Sequence, residues 1–155
     1  MTVSKNTTGG CQCGSIRYSL VGPPEMLYVC HCTDCQQQSS SAFGMSLRIH
    51  PGHIDFTSSK KSLRSWETRG DDGGIKRCHF CPDCGTRIMH SSDNPDETVS
   101  IKAGSLDDTS GLQPIAHIWL SSAQPWVEID RERYRCFDKD PEDEEELRRL
   151  WRANN

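Results

Sequence analysis

The sequence predicts a mainly β fold: antiparallel sheets of short strands that bind zinc, ending in a short C-terminal helix. Three observations carry this expectation. Apolar and polar residues alternate over short segments, with turn signals between them. Nine cysteines fall largely into tight clusters. The last stretch changes to acids followed by bases, around an apolar stripe of helical spacing.

The strands come first. Ile16, Tyr18 and Leu20 alternate with Arg17 and Ser19, the pattern of a half-buried strand. Phe43, Met45, Leu47 and Ile49 do the same against Gly44, Ser46 and Arg48. Val99, Ile101 and Ala103 repeat the pattern, Ile118 and Leu120 flank Trp119, and Trp126, Val127 and Ile129 predict a last strand. Gly22-Pro23-Pro24, Pro51-Gly52, residues 70–74, Asn94-Pro95 and Gln124-Pro125 supply the turns. In the tail, Asp140 is the expected N-cap, with Pro141 at the first helical position. Acids from Glu142 to Glu146 then complement the positive helix end, and Arg148, Arg149 and Arg152 the negative end. Leu147, Leu150 and Trp151 share one face, which either docks on the sheet or belongs to a solvated acidic helix, the commoner outcome for such a charge run. The expected boundaries are a metal-binding domain over residues 1–137 and an acidic helical tail over residues 138–155.

Composition narrows the function. At 155 residues and 34% apolar content, the chain builds one domain with a thin core. It has no apolar run near the roughly 18 residues that span a membrane. The opening MTVSKNTTGG lacks the apolar centre of a secretory leader, so a cytoplasmic, reducing setting is expected. There, clustered cysteines are metal ligands more often than disulfides. Net charge is -4, and no basic block of the kind that binds nucleic acid appears. The expected partner is a small-molecule thiol or aldehyde, with neither nucleic acid nor membrane. A homo-oligomer is left open.

The cysteines divide by spacing. Cys81-Pro82-Asp83-Cys84-Gly85 is a knuckle in which two thiolates turn toward one metal and a glycine permits the bend. Structural zinc takes four ligands, and Cys11 and Cys13, followed by Gly14, are the natural second pair. Cys30, Cys32 and Cys35 then supply three ligands to a second zinc. Three protein ligands and one open position is a catalytic arrangement, whereas a fourth ligand from Cys78, His79 or Cys136 would close the site. Three thiolates on a divalent ion leave a charge of about -1, which acidifies water weakly but suits another soft sulfur. Thiol activation is therefore expected before hydrolysis.

Gly10-Cys11-Gln12-Cys13-Gly14, Cys30-His31-Cys32-Thr33-Asp34-Cys35 and Phe80-Cys81-Pro82-Asp83-Cys84-Gly85 together resemble the glutathione-dependent formaldehyde-activating enzyme family, which includes centromere protein V. Ala103-Gly104-Ser105-Leu106-Asp107-Asp108, His117-Ile118-Trp119 and Pro125-Trp126 extend the resemblance over residues 9–129. The resemblance implies the β-tent fold of zinc-bound, distorted antiparallel sheets, the same division of thiols between two zinc ions, and glutathione as co-substrate. It implies a carbon–sulfur lyase type of reaction, joining formaldehyde and glutathione into S-(hydroxymethyl)glutathione. The catalytic candidates are Cys30, Cys32, Cys35 and His31. His31 either shuttles a proton or contacts substrate, or is an outward-pointing loop residue, and Asp34 has the same ambiguity. Ser39, Ser40, Ser41 and Phe43 are candidate pocket wall, the serines otherwise a polar loop. Trp119 and Trp126 either line that pocket or pack in the core, and Arg48 either holds a substrate carboxylate or lies exposed. Cys136 is expected to be an unliganded, partly buried thiol. Two other readings stand beside this one: a non-catalytic zinc module, and a zinc lyase or hydrolase acting on an imine-like substrate.

Overall fold

The computed structural model describes residues 6–57, 63–70 and 73–154. Strands β1 (Thr8–Gly10), β2 (Arg17–Leu20) and β3 (Met26–Cys30) lead into helix α1 (Thr33–Ser39). Strands β4 (Gly44–Ile49), β5 (Ile54–Phe56), β6 (Arg64–Arg69), β7 (Ile75–Phe80), β8 (Arg87–Ser91) and β9 (Val99–Lys102) follow. The chain ends with β10 (Ala116–Ile118), β11 (Arg135–Cys136) and helix α2 (Glu144–Asn154). The architecture is mainly β with a short C-terminal helix, and no helix among the described residues is long and apolar enough to cross a membrane. The expected turn over residues 70–74 includes 71 and 72, which lie outside the described residues. The chain forms two compact units, Met1–Pro24 with Arg48–Leu112, and Glu25–Leu47 with Gln113–Asn155.

The first unit holds a three-stranded antiparallel sheet in the order β1-β2-β5. It also holds an antiparallel meander of β6, β7, β8 and β9. Ile16, Tyr18, Leu20, Ile88 and Ile101 form its core, each at most 1% exposed. Burial of each large apolar side chain contributes on the order of 1.5–3 kcal/mol. The alternation in β2 therefore reports a real inner face. Tyr18 brings its hydroxyl inside and lies 2.8 Å from Ser105 Oγ, while the Ser105 hydroxyl donates to the Lys102 carbonyl at 2.7 Å. Burial pushes the Tyr18 phenol well above its ordinary value, so it stays protonated and donates.

Gly9 and Gly10 make this packing possible. A Cβ on Gly9 would stand 2.4 Å from Tyr18 Oη and 2.6 Å from the Ser105 carbonyl oxygen. A Cβ on Gly10 would stand 2.2 Å from the Ile16 carbonyl oxygen. Backbone atoms cannot swing aside as a side chain can. Gly10→Ala is expected to cost about 1–3 kcal/mol of unfolding free energy. Urea denaturation checks this, and a midpoint equal to that of the unsubstituted chain would contradict it.

The second unit contains the strands in the order β11-β10-β3-β4. Here the sheet is mixed, because β10 runs parallel to both β3 and β11. Strand β3 is buried along its whole length, so Met26-Leu27-Tyr28-Val29 reads as a continuous apolar run without alternation. Helix α2 packs on β3 through Leu147 and Trp151, which are 1% and 5% exposed. Arg148 reaches Glu25 and Glu144, each at 2.9 Å, from the same helix.

Three local expectations are corrected here. The α2 cap is Asp143, whose carboxylate accepts the Glu145 N–H at 2.8 Å. Asp140 instead accepts the indole N–H of Trp119 at 3.0 Å, and Pro141 precedes the helix. No strand forms over residues 126–129: Trp126 is 70% exposed, and Val127 donates to Gln124 in a turn. Leu120 opens a 3₁₀ turn, with Trp119 before it at φ 60°.

Candidate metal and thiol site

Two groups of thiols assemble, and each has ligand atoms within 4.8 Å of one another: Cys11, Cys13, Cys81 and Cys84 in one, Cys30, Cys32 and Cys35 in the other. The first lies in the first unit and the second in the second unit. The nine cysteines form no disulfide. Both groups could hold a metal ion.

The four-thiol group is made by two similar turns. In one, Gly14 N–H donates to the Cys11 carbonyl at 3.0 Å, with Gly14 at φ 82°. In the other, Gly85 N–H donates to the Cys81 carbonyl at 2.9 Å, with Gly85 at φ 75°. Left-handed backbone at both positions favours glycine, as the sequence reading of the knuckles requires. Thr86 joins the turns. Its carbonyl accepts the Cys81 N–H at 3.0 Å, and its hydroxyl oxygen accepts the Gln12 N–H at 3.1 Å. Ser15 Oγ stands 3.2 Å from the Cys13 sulfur and 3.3 Å from the Cys81 sulfur.

These contacts favour thiolate at Cys84 and Cys11. At Cys13 the Ser15 hydroxyl and N–H lower the thiol, but the Cys11 sulfur, burial and the Cys84 sulfur outweigh them, and it is raised. The Thr86 hydroxyl, 3.2 Å from Cys84 Sγ, and the Thr86 N–H hold the Cys84 thiol down at about 6. Burial works to raise the Cys11 thiol. The Ile16 N–H at 3.1 Å, the Ser15 hydroxyl and the neighbouring sulfurs outweigh it and bring the group to about 7. Four soft donors, with N–H and O–H groups directed at sulfur, fit zinc. Thr86 and Ser15 escaped the sequence reading, because nothing in their spacing distinguishes them from turn residues.

The three-thiol group sits where β3 ends and α1 begins. Cys30 closes β3, Cys32 is the N-cap of α1, and Cys35 lies in its first turn. The Cys35 N–H points at Cys32 Sγ, 3.4 Å away, so a thiol takes the place of the usual hydroxyl or carboxylate cap. That substitution hid α1 from the sequence reading, and the Gln36-Gln37-Gln38 run adds no apolar period. Cys30 and Cys35 are 6% exposed. The Cys32 and Cys35 sulfurs, with burial, hold the Cys30 thiol far above its ordinary value. Three ionised thiols at this separation need a cation among them, and the donor set fits zinc. Among the described residues, no fourth Cys, His, Asp or Glu completes the group. Cys78 is fully buried on β7, Cys136 is half-buried on β11, and His79 lies 3.1 Å from Ser91 Oγ through Nε2.

His31 corrects the outward-pointing reading, because its exposure is 0%. Its Nε2 lies 2.9 Å from His117 Nδ1, and its ring meets the Phe43 ring edge-on at 5.5 Å. Burial lowers His31, and burial with the neighbouring His31 pushes His117 down to about 4, so both rings are neutral near pH 7. No protein group among the described residues bonds His31 Nδ1. An orphaned N–H costs more than an orphaned lone pair, so the proton sits on Nε2 and His31 donates to His117.

The other candidates scatter. Asp34 is half-buried in the first turn of α1. Ser39 Oγ lies 2.7 Å from the Cys35 carbonyl and 2.9 Å from the Phe43 carbonyl, so it ties the end of α1 to the next strand. Ser40 is the left-handed C-cap of α1, and Ser41 is exposed. Arg48 is half-buried, with Nε donating to Thr98 Oγ1 at 2.8 Å. Trp119 is half-buried, beside the Lys139 ammonium at 5.9 Å from the ring centre. Trp126, exposed as described, donates its indole N–H to Gln124 at 2.7 Å, so neither tryptophan is buried core.

A mainly β fold carrying one four-thiol and one three-thiol cluster defines a class of cysteine-rich protein suited to metal binding. Residues 6–122 match the family model described as glutathione-dependent formaldehyde-activating enzyme, and the chain belongs to that family. It is 28% identical over 142 residues to a Halomonas elongata protein, provisionally named a glutathione-dependent formaldehyde-activating enzyme. That match covers 87% of this chain and 88% of the relative. The crystal structure of a Rhodobacter sphaeroides protein is similar in fold, with a TM-score of 0.50 at 19% identity, covering 69% of this chain and 91% of the other.

Proposed function

We propose that the protein is a zinc-dependent carbon–sulfur lyase that joins formaldehyde and glutathione to S-(hydroxymethyl)glutathione, or runs the reverse. The observation that carries this reading is the difference in ligand number between the two clusters. Cys11, Cys13, Cys81 and Cys84 would hold a structural zinc, and Cys30, Cys32 and Cys35 a catalytic one. When bound at the three-thiol cluster, zinc would lower the pKa of a substrate thiol and hold it as thiolate at a fourth position.

The chain's own residues supply the rest. Burial of Cys30, Cys35 and His31 keeps water from the inner side of the cluster. The Cys35 N–H directed at Cys32 Sγ favours the ionised sulfur. Joining the reactants at one place removes the translational cost of a bimolecular encounter. The family match supports glutathione and formaldehyde as substrates. The density of reduced thiols supports a cytoplasmic setting.

The test is consumption of formaldehyde by the purified protein as glutathione is varied. Saturable acceleration over the protein-free rate is expected. A protein carrying two zinc ions that gives no acceleration would overturn the reading.

A further inference from the structure

We infer that His31 acts as a positioning residue for the three-thiol cluster, with Gln36, Ser122 and His117 as the groups that hold it. The inference rests on the reading that Cys30, Cys32 and Cys35 bind a metal.

His31 stands between two of the thiols, and nearly all its polar groups are engaged. Its N–H donates to the Ile118 carbonyl at 3.0 Å. Its carbonyl accepts from Gln36 Nε2 at 2.7 Å and from Ser122 Oγ at 3.1 Å. Its Nε2 bonds His117 Nδ1 at 2.9 Å, and Phe43 packs against the ring. His31 has no exposed surface of its own, and its Nε2 meets the half-buried His117 rather than solvent. The same burial makes it an anchor.

Gln36 is the main brace. Its amide group donates to two carbonyls, His31 and Ser122 at 2.7 and 2.9 Å, and its Oε1 accepts from Gln124 Nε2 at 3.1 Å. Gln36 therefore bridges α1, the loop between Cys30 and Cys32, and the turn after β10. Fixing both ends of one residue fixes the Cα atoms on either side of it. Here those atoms carry two of the three sulfurs. A site with three protein ligands has no fourth to enforce its geometry, so it depends on such braces.

The test uses the full chain and two variants, Gln36→Met, which keeps length but removes all three hydrogen bonds, and His117→Phe, which keeps a ring but removes the acceptor. Cobalt(II) spectra and chelator competition report each metal site separately, and the four-thiol cluster serves as internal reference. Expected in both variants is about 10–100-fold weaker metal binding at the three-thiol cluster, an altered cobalt spectrum there, and unchanged binding at the four-thiol cluster. Affinity and spectrum equal to the unsubstituted chain in both variants would overturn the inference. So would parallel loss at both clusters, because the effect would then be on folding. An unsubstituted chain that binds cobalt only at the four-thiol cluster would instead overturn the reading on which the inference rests.

Discussion

Replacing Cys81 with serine is expected to abolish cooperative folding. Cys81 is fully buried, and its sulfur lies 3.7 Å from that of Cys13, which is 68 positions away in the chain. The four-thiol cluster thus closes a long loop and joins the turn before β2 to the turn between β7 and β8. Structural zinc contributes about 10–16 kcal/mol in small peptides at neutral pH. A whole domain has only about 5–15 kcal/mol of net stability. Loss of even part of the metal contribution therefore exceeds what 34% apolar composition can offset. Far-ultraviolet circular dichroism through a urea titration checks the effect. A cooperative transition at the unsubstituted midpoint would contradict it.

Cys32→Ser is expected to act in the opposite way, removing activity while leaving the fold. Cys32 is half-buried at the start of α1, and serine can cap a helix as well as a thiol can. Serine is a far poorer zinc ligand than thiolate, so one zinc per chain is lost and the other is kept. Turnover should fall by at least about a hundredfold, since outer-sphere changes alone cost up to that much. The melting profile should shift little. Two zinc ions per chain with unchanged turnover would refute the assignment of this cluster.

The sequence was most legible where chemistry and geometry are both local. The paired spacings of Cys11-Cys13 and Cys81-Cys84, each with its glycine, mark turns whose backbone needs φ above zero, and both turns are present. The triplet of Cys30, Cys32 and Cys35 likewise lies within six positions, so its assembly needs little from the rest of the chain. Alternation located β2 because Tyr18 and Leu20 form a buried face, and it also fell on β4 and β9, where Ser46 and Ser100 on the opposite face are buried as well. It could not locate β3, which is buried on both faces and shows no period. It misplaced a strand at residues 126–129, where apolar side chains belong to a turn with an exposed tryptophan.

The groups around the thiols were harder to read, because their partners are distant. His31 and His117 are 86 positions apart, as are Gln36 and Ser122. Nothing local in a polar Gln36-Gln37-Gln38 run says that its first member faces inward while Gln37 is exposed. The helix α1 was hidden for a related reason: its N-cap is a cysteine, which reads first as a ligand. The tail pattern predicts the helix, but Asp140-Pro141, a pair that here ends a loop, points to a start three residues early.

The most direct test of the three-thiol cluster as the reaction centre is zinc-edge X-ray absorption of the two-zinc protein before and after glutathione is added. Four and three protein thiols predict a mean of about 3.5 sulfur neighbours per zinc without glutathione, rising toward four with it. A mean of four at the outset, unchanged by glutathione, would mean that the second site is already closed, and would contradict catalysis there.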